Sequence, residues 1–168
     1  MSGDARLGAV PAAGSYGPGV LCVDVAGFEE RQDVLARAPH VVRRGGLHLP
    51  VVIDDEGTSI GPLTTPGFSA CLQCAAHVAD RAAPTPDPAA VPSPAPAALT
   101  PLVAALISAT VALEAGRIVC DPDRLPLSLG HVVRVEHDTG AVAILAVTQV
   151  DGCEVCGSLI ELALGGEL

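Results

Sequence analysis

Apolar positions in this chain fall in short runs with polar stops between them, and those runs predict its elements. Gly19–Val25 (GVLCVDV) is an apolar, β-branched run of the kind that forms a buried parallel strand. Residues 28–38 (FEERQDVLARA) set good helix formers around Phe28, Val34 and Leu35, and Pro39 is expected to end that helix. A second strand is expected at Leu47–Ile53 (LHLPVVI), where Pro50 points to an edge or a bulge. Asp54-Asp55-Glu56-Gly57 reads as a turn and Thr58–Leu63 as a returning strand. The first part of the chain is thus a strand–helix–strand unit followed by a hairpin.

The second part begins with a stiff loop, GPLTTPG at 61–67, and a helix is expected to start after Cys71. Thr100-Pro101 is a helix start, with threonine as N-cap and proline in the first helical position. That helix should run to about Ala115, with Gly116 as its stop. It is apolar on nearly every face, which predicts a place inside the domain or at a subunit interface. His131–Glu136 and Ala141–Thr148 alternate in polarity across Asp138-Thr139-Gly140, an antiparallel hairpin. The class is α/β.

Punctuation residues set the domain limits. Residues 1–18, rich in Gly, Ala, Pro and Ser, read as a flexible tail, 19–157 as one domain, and 158–168 as a C-terminal tail. Within the domain, prolines 84, 86, 88, 92, 94 and 96 mark 84–100 as an extended, low-complexity loop.

Composition narrows function by exclusion. The 168 residues are 49% hydrophobic but only 2% aromatic, so the core must be aliphatic. A formal charge of −10 repels phosphate backbones, and without aromatic platforms there is little for bases to stack on. Nucleic acid is therefore excluded as a partner. The N-terminus shows no signal-peptide pattern, and the apolar stretch 99–115 is interrupted by Pro101 and Glu114. A cytoplasmic protein with no membrane partner is expected, and its six cysteines then read as thiols or metal ligands.

Four of those cysteines are paired in two clips, Cys71-Leu72-Gln73-Cys74 and Cys153-Glu154-Val155-Cys156. Two intervening residues let one local turn present both sulfurs to a single ion, and zinc takes four thiolates in a closed tetrahedral site. Cys71, Cys74, Cys153 and Cys156 are thus expected to hold a structural zinc that ties the middle of the chain to its end. Two disulfides or thiol redox chemistry are the alternatives.

Other candidates are thinner. Cys22 sits in an apolar strand, where free cysteine is commonly a small hydrophobe. Cys120 precedes Asp121-Pro122-Asp123, and the two acids would raise its pKa and oppose nucleophilicity. The histidines 40, 48, 77, 131 and 137 show no metal-ligand spacing, and His77, near the first clip, reads as a surface or supporting residue. Glu29-Glu30 and Asp54-Asp55-Glu56 read as solvated charges at a helix start and a turn. No catalytic set emerges.

The order VLCVDVAGFEER, GPLTTPGFSACLQC, LVAALISATVALEAG and DGCEVCG resembles the C-terminal half of the ThiF/MoeB-like adenylyltransferases, relatives of ubiquitin-activating enzymes. The segment GPLTTPGFSACLQC is most similar to ThiF-like proteins of azoline-forming peptide pathways, which present a precursor peptide to a YcaO-type cyclodehydratase. This resemblance implies a truncated ThiF-like mixed sheet with flanking helices and a structural zinc site. It places Asp24 at the first Asp of the family's DxTDN stretch and Arg31 at its late Arg. The second Asp, which helps position Mg-ATP, has no counterpart. Asp24 and Arg31 read equally well as a strand-end polar residue and a solvated helix residue.

Adenylation also needs a glycine-rich strand-to-helix turn, and no GxGxxG occurs in the chain. Nor do the 18 residues before the first strand suffice for the winged-helix leader-binding segment of the azoline-pathway proteins. The resemblance therefore implies a non-catalytic accessory protein or scaffold. Its partner would be a YcaO-type enzyme or a fuller ThiF-like subunit, with the precursor peptide or a homodimer also implied. The alternative is a subunit of an adenylyl- or sulfur-transfer enzyme using Cys120.

Overall fold

A computed structural model describes residues 19–65, 69–82, 100–121 and 124–156. The expected tails, and the proline-rich segment up to residue 99, lie outside the described residues.

Five strands form one mixed sheet: β1 (Leu21–Gly27), β2 (Leu47–Ile53), β3 (Gly57–Ile60), β4 (His131–Glu136) and β5 (Val142–Ala146). They lie side by side in chain order; β1 and β2 are parallel and the other pairs antiparallel. Helix α1 (Arg31–Arg43) follows a 3-10 turn at Phe28–Glu30, α2 is Leu72–Ala82 and α3 is Pro101–Cys120.

The pleat sorts side chains onto two faces. Leu49 and Val51 of β2, Ile60 of β3 and Val133 of β4 share one face, which packs against Val111 and Ile118 of α3. Ala26 and Val52 share the other face with Val34 of α1 and Leu72 of α2. The result is a sheet with a helix layer on each side. Burial of aliphatic side chains builds the core, since Phe28, the one aromatic among the described residues, is exposed.

Three expectations about breakers are corrected. Pro39 does not end α1, which continues to Arg43. Beyond the proline, Val41 and Val42 are buried, and their packing offsets the missing hydrogen bond. Gly116 does not end α3, because Ile118 beyond it packs on the sheet. Glycine there costs only about 1 kcal/mol against alanine. Pro50 lies in an interior strand, not at an edge. Gly61 lies opposite it, one residue past the Val51–Ile60 pair, and the Gly61 N–H donates to the Pro50 carbonyl at 2.8 Å, so the proline removes one ladder bond of that pair and keeps the other.

Of the two places expected for the apolar helix α3, the domain interior is corrected. Only Val103, Ile107 and Glu114 of the helix are buried, while Leu102, Leu113 and Val119 are exposed. By length and composition α3 could cross a bilayer. In this fold it lies on the sheet instead, with Glu114 accepting hydrogen bonds from the N–H and Oγ of Ser128, at 2.8 and 2.7 Å.

Candidate metal centre and the groove beside it

The two clips meet. Cys71 and Cys74 lie at the start of α2, and beyond β5 Cys153 follows a turn at residues 151–152 while Cys156 lies in the helical residues 154–156. Each pair is local, but only the sheet brings them together, because the chain leaving β5 returns over the same face that α2 covers. Cys71 Sγ is 3.6 Å from Cys153 Sγ, Cys74 Sγ is 3.4 Å from Cys156 Sγ, and Cys71 and Cys74 are 3.8 Å apart. All four sulfurs lie within 4.8 Å of one another, and all four residues are buried.

This geometry fits zinc. Four sulfurs at about 2.3 Å around a tetrahedral ion stand about 3.8 Å from one another. A disulfide needs about 2.05 Å, and all six cysteines are free. Ala70, Val132 and Val147 pack around the cluster and keep water away. The N–H of Val150 points at Cys74 Sγ at 3.4 Å, a donor placed for a thiolate.

Protons are unevenly shared among the sulfurs. A hydrogen bond from the Cys156 thiol, with others from its neighbours, pushes Cys71 down to about 5. Burial and the adjoining Cys71 thiolate push Cys153 up to about 11. Cys156 is raised further, first by its hydrogen bond to Cys71 and then by burial. One negative charge already suppresses the next, so four thiolates need a cation among them. With every ligand buried and supplied by protein, a bound ion would be structural, without an open position for water.

Asp24 and Arg31 are not brought together. Asp24 is paired with Arg37, whose Nε and Nη2 donate to it at 2.6 and 2.9 Å, and His48 Nε2 lies 3.4 Å away. Burial would push the Asp24 carboxyl up, but hydrogen bonds from His48 and Arg37 outweigh it and hold the group below its ordinary value. Sequence reasoning missed Arg37 and His48. The register that places Cys22 beside His48 and Asp24 beside Pro50 is a cross-strand fact. Burial, then the nearby Asp24, raise the Cys22 thiol above its usual value.

The turn acids also need correction. Asp54 is not simply solvated: it accepts from the N–H groups of Glu56 and Gly57 and from Arg134 Nη2 at 2.8 Å. Gly57 is required there, because a Cβ would stand 2.7 Å from both Arg134 Nε and the Val135 carbonyl oxygen. By contrast, His77 is exposed on α2, and Cys120 is exposed at the end of α3.

Beside the cysteine cluster a groove of about 470 Å³ opens between α2 and the sheet. Val52, Leu72, Val78 and Val132 supply apolar lining, Arg31 and Arg134 supply charge, and β5 contributes Ile144, Leu145 and Ala146.

This arrangement is that of a known fold. Solved E. coli MccB matches over 81% of this chain and 39% of its own, with 18% identity and a TM-score of 0.58. The microcin C7 biosynthetic enzyme MccB in complex with N-formylated MccA matches over 80% and 41%, with 17% identity and a TM-score of 0.55. The chain has a ThiF/MoeB-like fold. It spans about two-fifths of the MccB chains it matches. The heterocyclase TruD also aligns, over 82% of this chain and 22% of its own at 19% identity, with a TM-score of 0.43, too low to carry an argument. No protein-family model and no curated protein matches the sequence.

Proposed function

We propose that this chain is a zinc-stabilised, non-catalytic ThiF-like accessory protein of ribosomal-peptide natural-product biosynthesis. It acts in the cytoplasm beside a YcaO-type cyclodehydratase or a fuller ThiF-like subunit, and it helps to hold the precursor peptide.

One observation carries the non-catalytic reading. The β1–α1 turn carries Glu29 and Glu30 and no glycine-rich phosphate cradle. The Glu30 carboxylate accepts from the Gly27 N–H at 3.2 Å. An internal carboxylate therefore occupies that donor, and its charge would repel a phosphate at this turn. Asp24, held by Arg37 and His48, is likewise engaged within the protein. The peptide part of the reading draws on the fold shared with MccB, which has been solved with N-formylated MccA.

ATP–pyrophosphate exchange by the purified zinc-loaded chain tests this reading, alone and with a carrier or precursor peptide. No exchange is expected, while addition of the chain should raise the rate of peptide cyclodehydration by a YcaO partner. Exchange that is lost in a Cys120→Ser variant would instead establish the adenylyl- or sulfur-transfer subunit.

A further inference from the structure

We propose that the outer edge of β5 and the adjoining groove together bind an extended peptide segment with alternating apolar side chains and one carboxylate. This rests on the reading of the chain as a peptide-handling accessory protein, and it assigns the surface and the chemistry recognised there.

The backbone comes first. β5 is the last strand in the sheet order, so among the described residues its outer N–H and C=O groups face no further strand. All five of its residues are exposed, with Val142 at 52%, Ile144 at 53% and Leu145 at 53%. A flat apolar edge of this kind invites pairing with another extended chain, and no proline, bulge or charged side chain on β5 blocks it. The occupant is therefore extended, held by main-chain hydrogen bonds of the strand-addition kind.

Side-chain chemistry comes next. The pleat pairs Leu145 with Val132, which lines the groove, so every second residue of an added strand would stand on that same face. Val52, Leu72 and Val78 make this face aliphatic, which selects apolar side chains at alternate positions. Two guanidiniums reach the groove. Arg134 is neutralised by Asp54 and lies 3.7 Å from Glu136. Arg31 has no acidic partner among the described residues. In a chain of net charge −10, a lone cation facing an apolar groove selects a carboxylate.

The test uses the full zinc-loaded chain and fluorescence anisotropy with a capped octapeptide of alternating valine and threonine that carries one central glutamate. The glutamate peptide should bind about tenfold more tightly than its glutamine counterpart, and Arg31→Gln should abolish that difference. N-methylation of alternate peptide residues, and separately Leu145→Glu, should each weaken binding more than about tenfold. Circular dichroism and zinc content report whether each variant is folded; Leu145 is half exposed, so its substitution spares the core. Absence of binding to the native chain, equal affinity for the two peptides, or indifference to N-methylation would overturn the proposal. So would a stable dimer through β5, seen by sedimentation, that the peptide fails to dissociate. None of these results touches the accessory reading, which turns on ATP–pyrophosphate exchange and stimulation of the cyclodehydratase.

Discussion

Cys74 Sγ stands 3.4 Å from Cys156 Sγ, so a residue at the start of α2 and another near the end of the described chain meet in one buried cluster. Four converging sulfurs need a cation to be ionised together, and that requirement sets the first prediction.

Native mass spectrometry of protein purified without chelator should show one zinc per chain. Cys153→Ser should lose the ion and melt well below the native chain, because structural zinc contributes on the order of 10–16 kcal/mol in small zinc peptides. A metal-free variant of unchanged thermal stability would refute a stabilising ion. A zinc-free native mass lower by about four hydrogens would instead reveal two disulfides.

The Asp24–Arg37 pair makes stability depend on pH in a definite direction. The Asp24 carboxyl is held below its ordinary value by His48 and Arg37 despite burial. Its contribution is therefore fully present above its unfolded value of about 3.9 and is lost as pH falls through the lower folded value. Asp24→Asn should cost about 1–3 kcal/mol at pH 7. The gap to the native chain should close as pH falls below about 4, as followed by urea unfolding.

Glu114 is the one charged side chain buried in α3, and it anchors the loop before β4 through Ser128. Glu114→Ala leaves the Ser128 N–H and hydroxyl without that acceptor and should cost about 2–4 kcal/mol. Glu114→Gln, which keeps one acceptor oxygen, should cost less than half as much by the same denaturation assay.

Gly57→Ala probes close approach in the β2–β3 turn. The added carbon would meet the Val135 backbone carbonyl at 2.7 Å, which cannot swing aside as a side-chain tip can. The substitution should destabilise by about 1–3 kcal/mol. A melting temperature equal to that of the native chain would show that β3 and β4 can separate at no cost.

What the sequence alone determined was local. Period-two and period-3.6 patterning located the strands and helices, Thr100-Pro101 marked the start of α3, where Thr100 Oγ1 accepts from Val103 N–H at 3.3 Å, and each CxxC spacing supplied half of the four-cysteine cluster. What only the tertiary structure decided depended on neighbours distant in the chain. Pro39 and Gly116 fail as stops because Val42 and Ile118 find packing beyond them. Pro50 is tolerated in an interior strand because its carbonyl still accepts from the Gly61 N–H at 2.8 Å. Arg37, not Arg31, meets Asp24, and Arg134 meets Asp54 across 80 positions of sequence. Local propensities are worth about 1–3 kcal/mol per breaker, and burial of a few aliphatic side chains matches that. Whether such burial is available is set by the fold as a whole.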